Sequence, residues 1–160
     1  MTAAQSNLFI AEQLVRITEK EARYLERTVK RLRNLSIDLA WVESLENNDE
    51  HSEMLDAFVS RYGRLQDTLG DKLLPAILRL NLEKTGSQLD NLLRAEKLGW
   101  IESTQIWIEL RELRNRLAHE YMESASDLLS ALQQALQRAH QLVETQLRMA
   151  KAVQKVQAGG

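Results

Sequence analysis

Apolar side chains recur along this chain at intervals of three and four residues, the pattern of helices that bury one stripe. From about Ser6 to Leu35 the stripe runs through Leu8, Ala11, Leu14, Ile17, Tyr24, Leu25, Val29 and Leu32, with no glycine or proline to interrupt it. The opposite face sets Glu19 before Arg23 and Glu26 before Lys30, acid four residues ahead of base, as a solvated helix surface does. Ser36 either caps a new turn before Ile37, Leu39, Ala40 and Val42, or the helix runs on. Residues 46–50, Glu-Asn-Asn-Asp-Glu, include no apolar side chain and offer capping types, so they predict the first clear turn.

A second helix is predicted through Met54, Leu55, Phe58, Val59, Tyr62 and Leu65, with Gly70-Asp71 marking its end or a kink. Pro75 fits the first turn of a short apolar helix capped near Asp71. Gly86-Ser87 opens another short helix, with Leu89, Leu92 and Leu93 as its apolar positions, which stops at Gly99. Ser103 caps a helix carrying Ile106, Leu110, Leu113 and Leu117, and the last helix starts near Ser124 and continues through Val153. Five to six helices with short connections predict an all-α antiparallel bundle. No linker or repeat divides it, so residues 1–160 read as a single helical domain, with 157–160 a disordered tail.

Composition narrows the chemistry. The 160 residues hold 44% hydrophobic side chains, six glycines, one proline and no cysteine. Disulfides, thiol catalysis and cysteine-ligated metals are excluded, and there is little glycine for phosphate-binding loops or a nucleophile elbow. No run approaches the roughly 18 apolar residues of a membrane span. The opening residues do not resemble a signal peptide, so a cytoplasmic location is expected. Twenty-one Lys and Arg against 23 Asp and Glu leave a net charge of −2, and no global basic field points to nucleic acid. The three histidines show no metal-binding spacing; Asp49-Glu50-His51 is the nearest cluster, and its adjacent side chains point in different directions. His140, among Gln, Arg and Ala, reads as a surface residue. No metal and no cofactor are expected.

One segment stands apart: residues 110–121, Leu-Arg-Glu-Leu-Arg-Asn-Arg-Leu-Ala-His-Glu-Tyr. Stepping about 100° per residue from Ile106 places Leu110, Leu113, Leu117 and Tyr121 on a buried stripe. Arg114 falls at its edge, and Arg111, Asn115 and His119 on the far side. Arg114 and His119 lie about 140° apart on an ideal helix, so one subunit brings them together only by bending the helix end. A two-fold dimer pairing this face with itself would instead collect two arginines and two histidines in one cleft.

Arg114-Asn115-Arg116-Leu117-Ala118-His119-Glu120-Tyr121 reads R-N-x-x-x-H-x-Y and resembles the signature of the HEPN superfamily, in its HepT-like branch. Trp107 before the motif and the upstream segment 61–67, Arg-Tyr-Gly-Arg-Leu-Gln-Asp, fit the same branch. The resemblance covers roughly residues 50–122. It implies a compact helical homodimer and a toxin of a toxin–antitoxin pair. The implied activity is a metal-independent endoribonuclease with Arg114 and His119 at the dimer interface and Asn115 as a third catalytic candidate. It also implies a cognate MNT-type nucleotidyltransferase antitoxin that adenylylates Tyr121. RNA is the implied substrate, while DNA and membrane are not implied. Some related proteins are instead non-catalytic substrate-binding or scaffold subunits of a nucleotidyltransferase.

The residue types suit that chemistry. RNA carries its own nucleophile, the 2′-hydroxyl, and an imidazole exchanges protons near neutral pH. A guanidinium offers a two-pronged fork to phosphate. Asn115 can orient either group, and Arg111 and Arg116 are weaker candidates for backbone phosphate contacts.

Overall fold

The computed structural model describes residues 1–120 and 124–159, without the side chain of residue 120. Among the described residues the chain is all helical, with no strand. The helices are α1 (Ala3–Arg33), α2 (Leu39–Glu43), α3 (Asp49–Asp67), α4 (Leu74–Leu80), α5 (Gln88–Lys97), α6 (Thr104–Glu120) and α7 (Ala125–Gly159). A 3-10 turn, Ser44–Asn47, links α2 to α3. A π-helical turn, Thr68–Leu73, joins α3 to α4 in one continuous rod, so the described residues make a bundle of six helices.

Local chemistry sets most of the starts. Thr2 and Gln5 form a reciprocal capping box on α1. The side chains of Asp38, Asn48 and Ser87 accept the first free amides of α2, α3 and α5. Ser103 Oγ accepts from the Ile106 amide and Ser124 Oγ from the Asp127 amide, starting α6 and α7. Gly99, at φ 78°, ends the α5 connection in the left-handed region that a glycine enters without a Cβ clash. Ser36 has no such role, because Asp38 begins the next turn.

Four long rods build the core. Arg61 on α3 reaches the Tyr24 carbonyl and Thr28 hydroxyl on α1, and Thr68 reaches Glu21. Arg33 on α1 reaches the Leu136 carbonyl on α7, while Gln146 reaches the Val15 carbonyl and the Thr18 hydroxyl. Arg138 on α7 pairs with Glu109 on α6 at 3.0 Å. Gly63 and Gly70 face Arg114 and Trp107, respectively, across the α3–α6 seam. Each of these pairings runs antiparallel, so α1, α3, α6 and α7 form an up-and-down bundle. Leu25, Leu32, Leu55, Phe58, Tyr62, Leu65 and Leu69 are fully buried between them. Each such leucine contributes roughly 1.5–3 kcal/mol by leaving water.

The structure departs from the sequence pattern in four places. On α1, Ile17 and Tyr24 stand exposed, while Thr18, Ala22 and Thr28 are buried. The helix packs on α3 and α7 at once, which moves the buried stripe. The threonines are cheap to bury because their hydroxyls donate to the Leu14 and Tyr24 carbonyls one turn back. Second, Gly70-Asp71 neither ends nor caps a helix: the wider π turn carries the rod onward to Pro75. Proline lacks an amide hydrogen and crowds the carbonyl four residues earlier. The Leu74 amide already bonds five residues back, to the Leu69 carbonyl, so the turn is opened where the ring arrives. Third, Leu89 and Leu93 on α5 are about half exposed, because this helix lies outside the four-rod core. Last, α7 stays helical to Gly159, so residues 157–159 continue the helix expected to stop before them. Lys155, Gln157 and Ala158 are good helix formers, and the buried Val153 anchors the preceding turn.

No helix among the described residues is long and apolar enough to cross a membrane.

Candidate functional site

The α3–α6 seam is narrow because two of its positions are glycines. A Cβ on Gly70 would stand 3.0 Å from Cζ2 of the buried Trp107 ring. A Cβ on Gly63 would stand 3.0 Å from Nε and 3.7 Å from Cγ of Arg114. The Arg114 side chain therefore lies directly across the α3 backbone. Its Nη2 donates to Asp67 Oδ2 at 2.7 Å, a charge-assisted bond. Both side chains remain substantially solvated, at 37% and 46% exposure. A pair this wet adds at most about 1 kcal/mol to stability. Its consequence is positional: the guanidinium is held at one edge of a groove.

That groove is open, about 630 Å³, and lies between α3, the π turn and α6. Ser60, Arg64, Asp67, Lys72, Arg114 and Asn115 supply most of its polar lining. Beneath it, Thr68 hydrogen-bonds to Glu21 Oε2 at 3.2 Å. Burial raises the Glu21 carboxyl above the usual carboxylate range, against the pull of the Thr68 bond and of Arg64 and Lys72.

The residues of the R-N-x-x-x-H-x-Y motif separate into three positions. Arg114 and Asn115 meet at the groove. His119 is exposed on the last turn of α6, one turn past Asn115, and does not line that groove. Tyr121 lies outside the described residues. Arg116 is half-buried. Arg111 is not on a fully solvated far side as expected. It is half-buried, with Nη2 buried and lacking a hydrogen-bond partner among the described residues. An ideal wheel assigns α6 one buried stripe, whereas α3 and α7 cover it from two directions.

Two contributors carried no role in the sequence reading. Asp67 sits in the 61–67 segment, but nothing in one chain's sequence says which cation it meets 47 residues later. Tyr62, placed there as one more apolar position, has its ring in the core and donates its hydroxyl to the Leu110 carbonyl at 2.9 Å. Burial pushes that phenol well above its ordinary range, with Arg138 opposing weakly. It is a neutral clamp between α3 and the start of the motif helix.

Elsewhere the histidines have local partners. The His51 ring stacks on Trp41 at 5.5 Å and its Nδ1 lies 3.0 Å from the Asn48 amide nitrogen. His140 is exposed, with Nδ1 3.0 Å from the Gln137 carbonyl. No group of three or more His, Asp or Glu among the described residues is arranged to hold a metal ion.

Comparison with protein-family models, curated proteins and solved structures returns no match. The arrangement can offer an anionic group a pre-oriented guanidinium and an amide side by side. The His119 imidazole lies one turn further along the same helix, outside that groove.

Proposed function

We propose that this protein is a HepT-like HEPN toxin, a metal-independent endoribonuclease that works as a homodimer with an MNT-type nucleotidyltransferase antitoxin. The observation that carries the reading is Arg114 held by Asp67 beside Asn115 at an open groove, one helical turn short of His119. This adds to the motif a fixed guanidinium that a phosphate can share or take over from Asp67. In the reaction the RNA 2′-oxygen attacks the adjacent phosphorus and the P–O5′ bond breaks. The products are a 2′,3′-cyclic phosphate and a 5′-hydroxyl. One proton leaves the 2′-hydroxyl and one reaches the departing 5′-oxygen. His119 is the group assigned to that exchange, Arg114 stabilises the charge gathering on phosphorus oxygens, and Asn115 orients the phosphate. A second copy of α6 across a two-fold axis would supply the second histidine. Tyr121 is assigned as the residue the antitoxin adenylylates. The cytoplasm is the matching compartment.

One observation favours a second reading, a non-catalytic substrate-binding or scaffold subunit of a nucleotidyltransferase: Asp67 already satisfies part of Arg114. Induced expression of wild type, Arg114→Ala and His119→Ala separates the two. The toxin reading expects growth arrest and RNA loss for wild type only. Removing the proton-transfer group should lower cleavage by about 10²–10⁴-fold. Equal growth and intact RNA in all three would refute it. A scaffold subunit would keep its partner after His119→Ala and lose it only when the interface changes.

A further inference from the structure

The groove at Arg114 does not end at α3. A second open groove, about 700 Å³, runs along the exposed face of α1, and Arg64 lines both. The Thr68–Glu21 hydrogen bond joins their floors, since Thr68 belongs to the first and Glu21 to the second. Arg16, Lys20, Arg23, Arg64, Lys72 and Arg114 face this continuous surface, against four carboxylates, Glu19, Glu21, Asp67 and Asp71. A chain of net charge −2 thus gathers an excess of two positive charges on one strip. At the α1 side the strip meets Tyr24, with the guanidinium carbons of Arg27 and Arg61 at 5.5 and 5.4 Å from its ring centroid. Arg61 is further fixed by bonds to the Tyr24 carbonyl and Thr28 hydroxyl.

We propose that the two grooves form one track for the sugar–phosphate backbone of a single RNA strand, leading along α1 and across α3 to Arg114. The track rests on the ribonuclease reading of Arg114 and His119, and it answers the charge balance that opposes that reading. Phosphate contacts need a local row of cations, not a basic protein. Arg114, held by Asp67, and Arg61, held at Tyr24 and Thr28 beside the strip, are in place before the strand arrives, and such forks match phosphate oxygens. A strand held through its phosphates is bound with little sequence preference.

The test measures binding of wild-type protein to a labelled 2′-O-methyl RNA of about a dozen nucleotides, which lacks the nucleophile and stays intact. Affinity is read against salt, beside Arg16→Ala/Arg23→Ala and Lys84→Ala/Lys97→Ala. Both double variants remove two exposed cations, but only the first pair lies on the track. The track predicts at least about a tenfold loss for Arg16→Ala/Arg23→Ala. It also predicts a salt slope shallower by about 1.4, two single-strand phosphate contacts at about 0.7 each. Lys84→Ala/Lys97→Ala should bind as wild type. Equal binding by all three proteins, or equal weakening of both variants, overturns the track and leaves the Arg114–His119 reading standing. No binding by wild type also overturns it, and cleavage of unmodified RNA then reports separately on the ribonuclease.

Discussion

The two sides of α3 and α1 that face the rest of the bundle are built on different terms. Along α1 and α7 the contact is long and mostly apolar, with Leu25, Leu32, Ala139 and Leu142 buried, and its polar links come from Arg33 to the Leu136 carbonyl and from Gln146 to Val15 and Thr18. Its surface groove, about 450 Å³, has Leu25, Val29 and Val143 in its lining and mixed charges from Glu26, Lys30, His140 and Glu144. Along α3 and α6 the contact depends on two glycines, a buried tyrosine hydroxyl and a solvated ion pair. The first seam stores stability. The second spends close approach on placing Arg114 and Asn115 where an anion can reach them, and that difference separates scaffold from site.

The comparison breaks most plainly at Leu25. Leu25→Ala removes a fully buried side chain from the α1–α7 seam and should cost about 2–5 kcal/mol in chemical denaturation. A loss below about 1 kcal/mol would show that this seam is not the main store. The glycines sharpen the other side. Gly70→Ala meets the buried Trp107 ring and should cost about 1–3 kcal/mol, since neither partner can turn away. Gly63→Ala meets only the movable Arg114 side chain, so a helical alanine's advantage of up to about 1 kcal/mol offsets the contact. Its effect should fall on RNA cleavage through a displaced guanidinium. Equal destabilisation by both substitutions would contradict this division.

The smallest effect concerns Glu21. Its folded carboxyl binds a proton more tightly than in the unfolded chain, because burial opposes the charge. The stability tied to that proton is present below the unfolded value and lost as pH rises through the folded one. Glu21→Gln should therefore be slightly more stable than wild type at pH 7, with the difference shrinking as pH falls through the carboxylate range. Urea midpoints at two pH values check it. A variant less stable at pH 7 would mean that Arg64 and Lys72 outweigh burial.

Much of the fold was legible in the spacing of leucines. The helices at 54–65, 103–117 and 124–153 form where the apolar spacing predicts them, although Leu147 in the last one stands exposed, and Ser87, Ser103 and Ser124 cap where such residues should. The π turn was not, since a kink and a widened turn leave the same Gly-Asp-x-x-x-Pro pattern until the Leu74 amide chooses its carbonyl. On the site, the helical wheel set Arg114 at the edge of the buried stripe and Asn115 on the far side, and only the packing of α3 brings both to one groove. The Asp67 contact and the half-burial of Arg111 were not legible either, because both depend on where α3 and α7 lie across α6.

Sequence alone determined that the chain is helical, free of cysteine chemistry and marked by one unusual run of arginine, asparagine and histidine. Periodicity and residue type are local properties, and they survive in a linear text. Only the tertiary structure decided that Gly63 lets Arg114 lie across α3, that Asp67 holds it, and that Arg64 joins two basic grooves of a weakly acidic protein. Those facts arise from contacts between residues about fifty positions apart, and packing, not spacing, sets such distances.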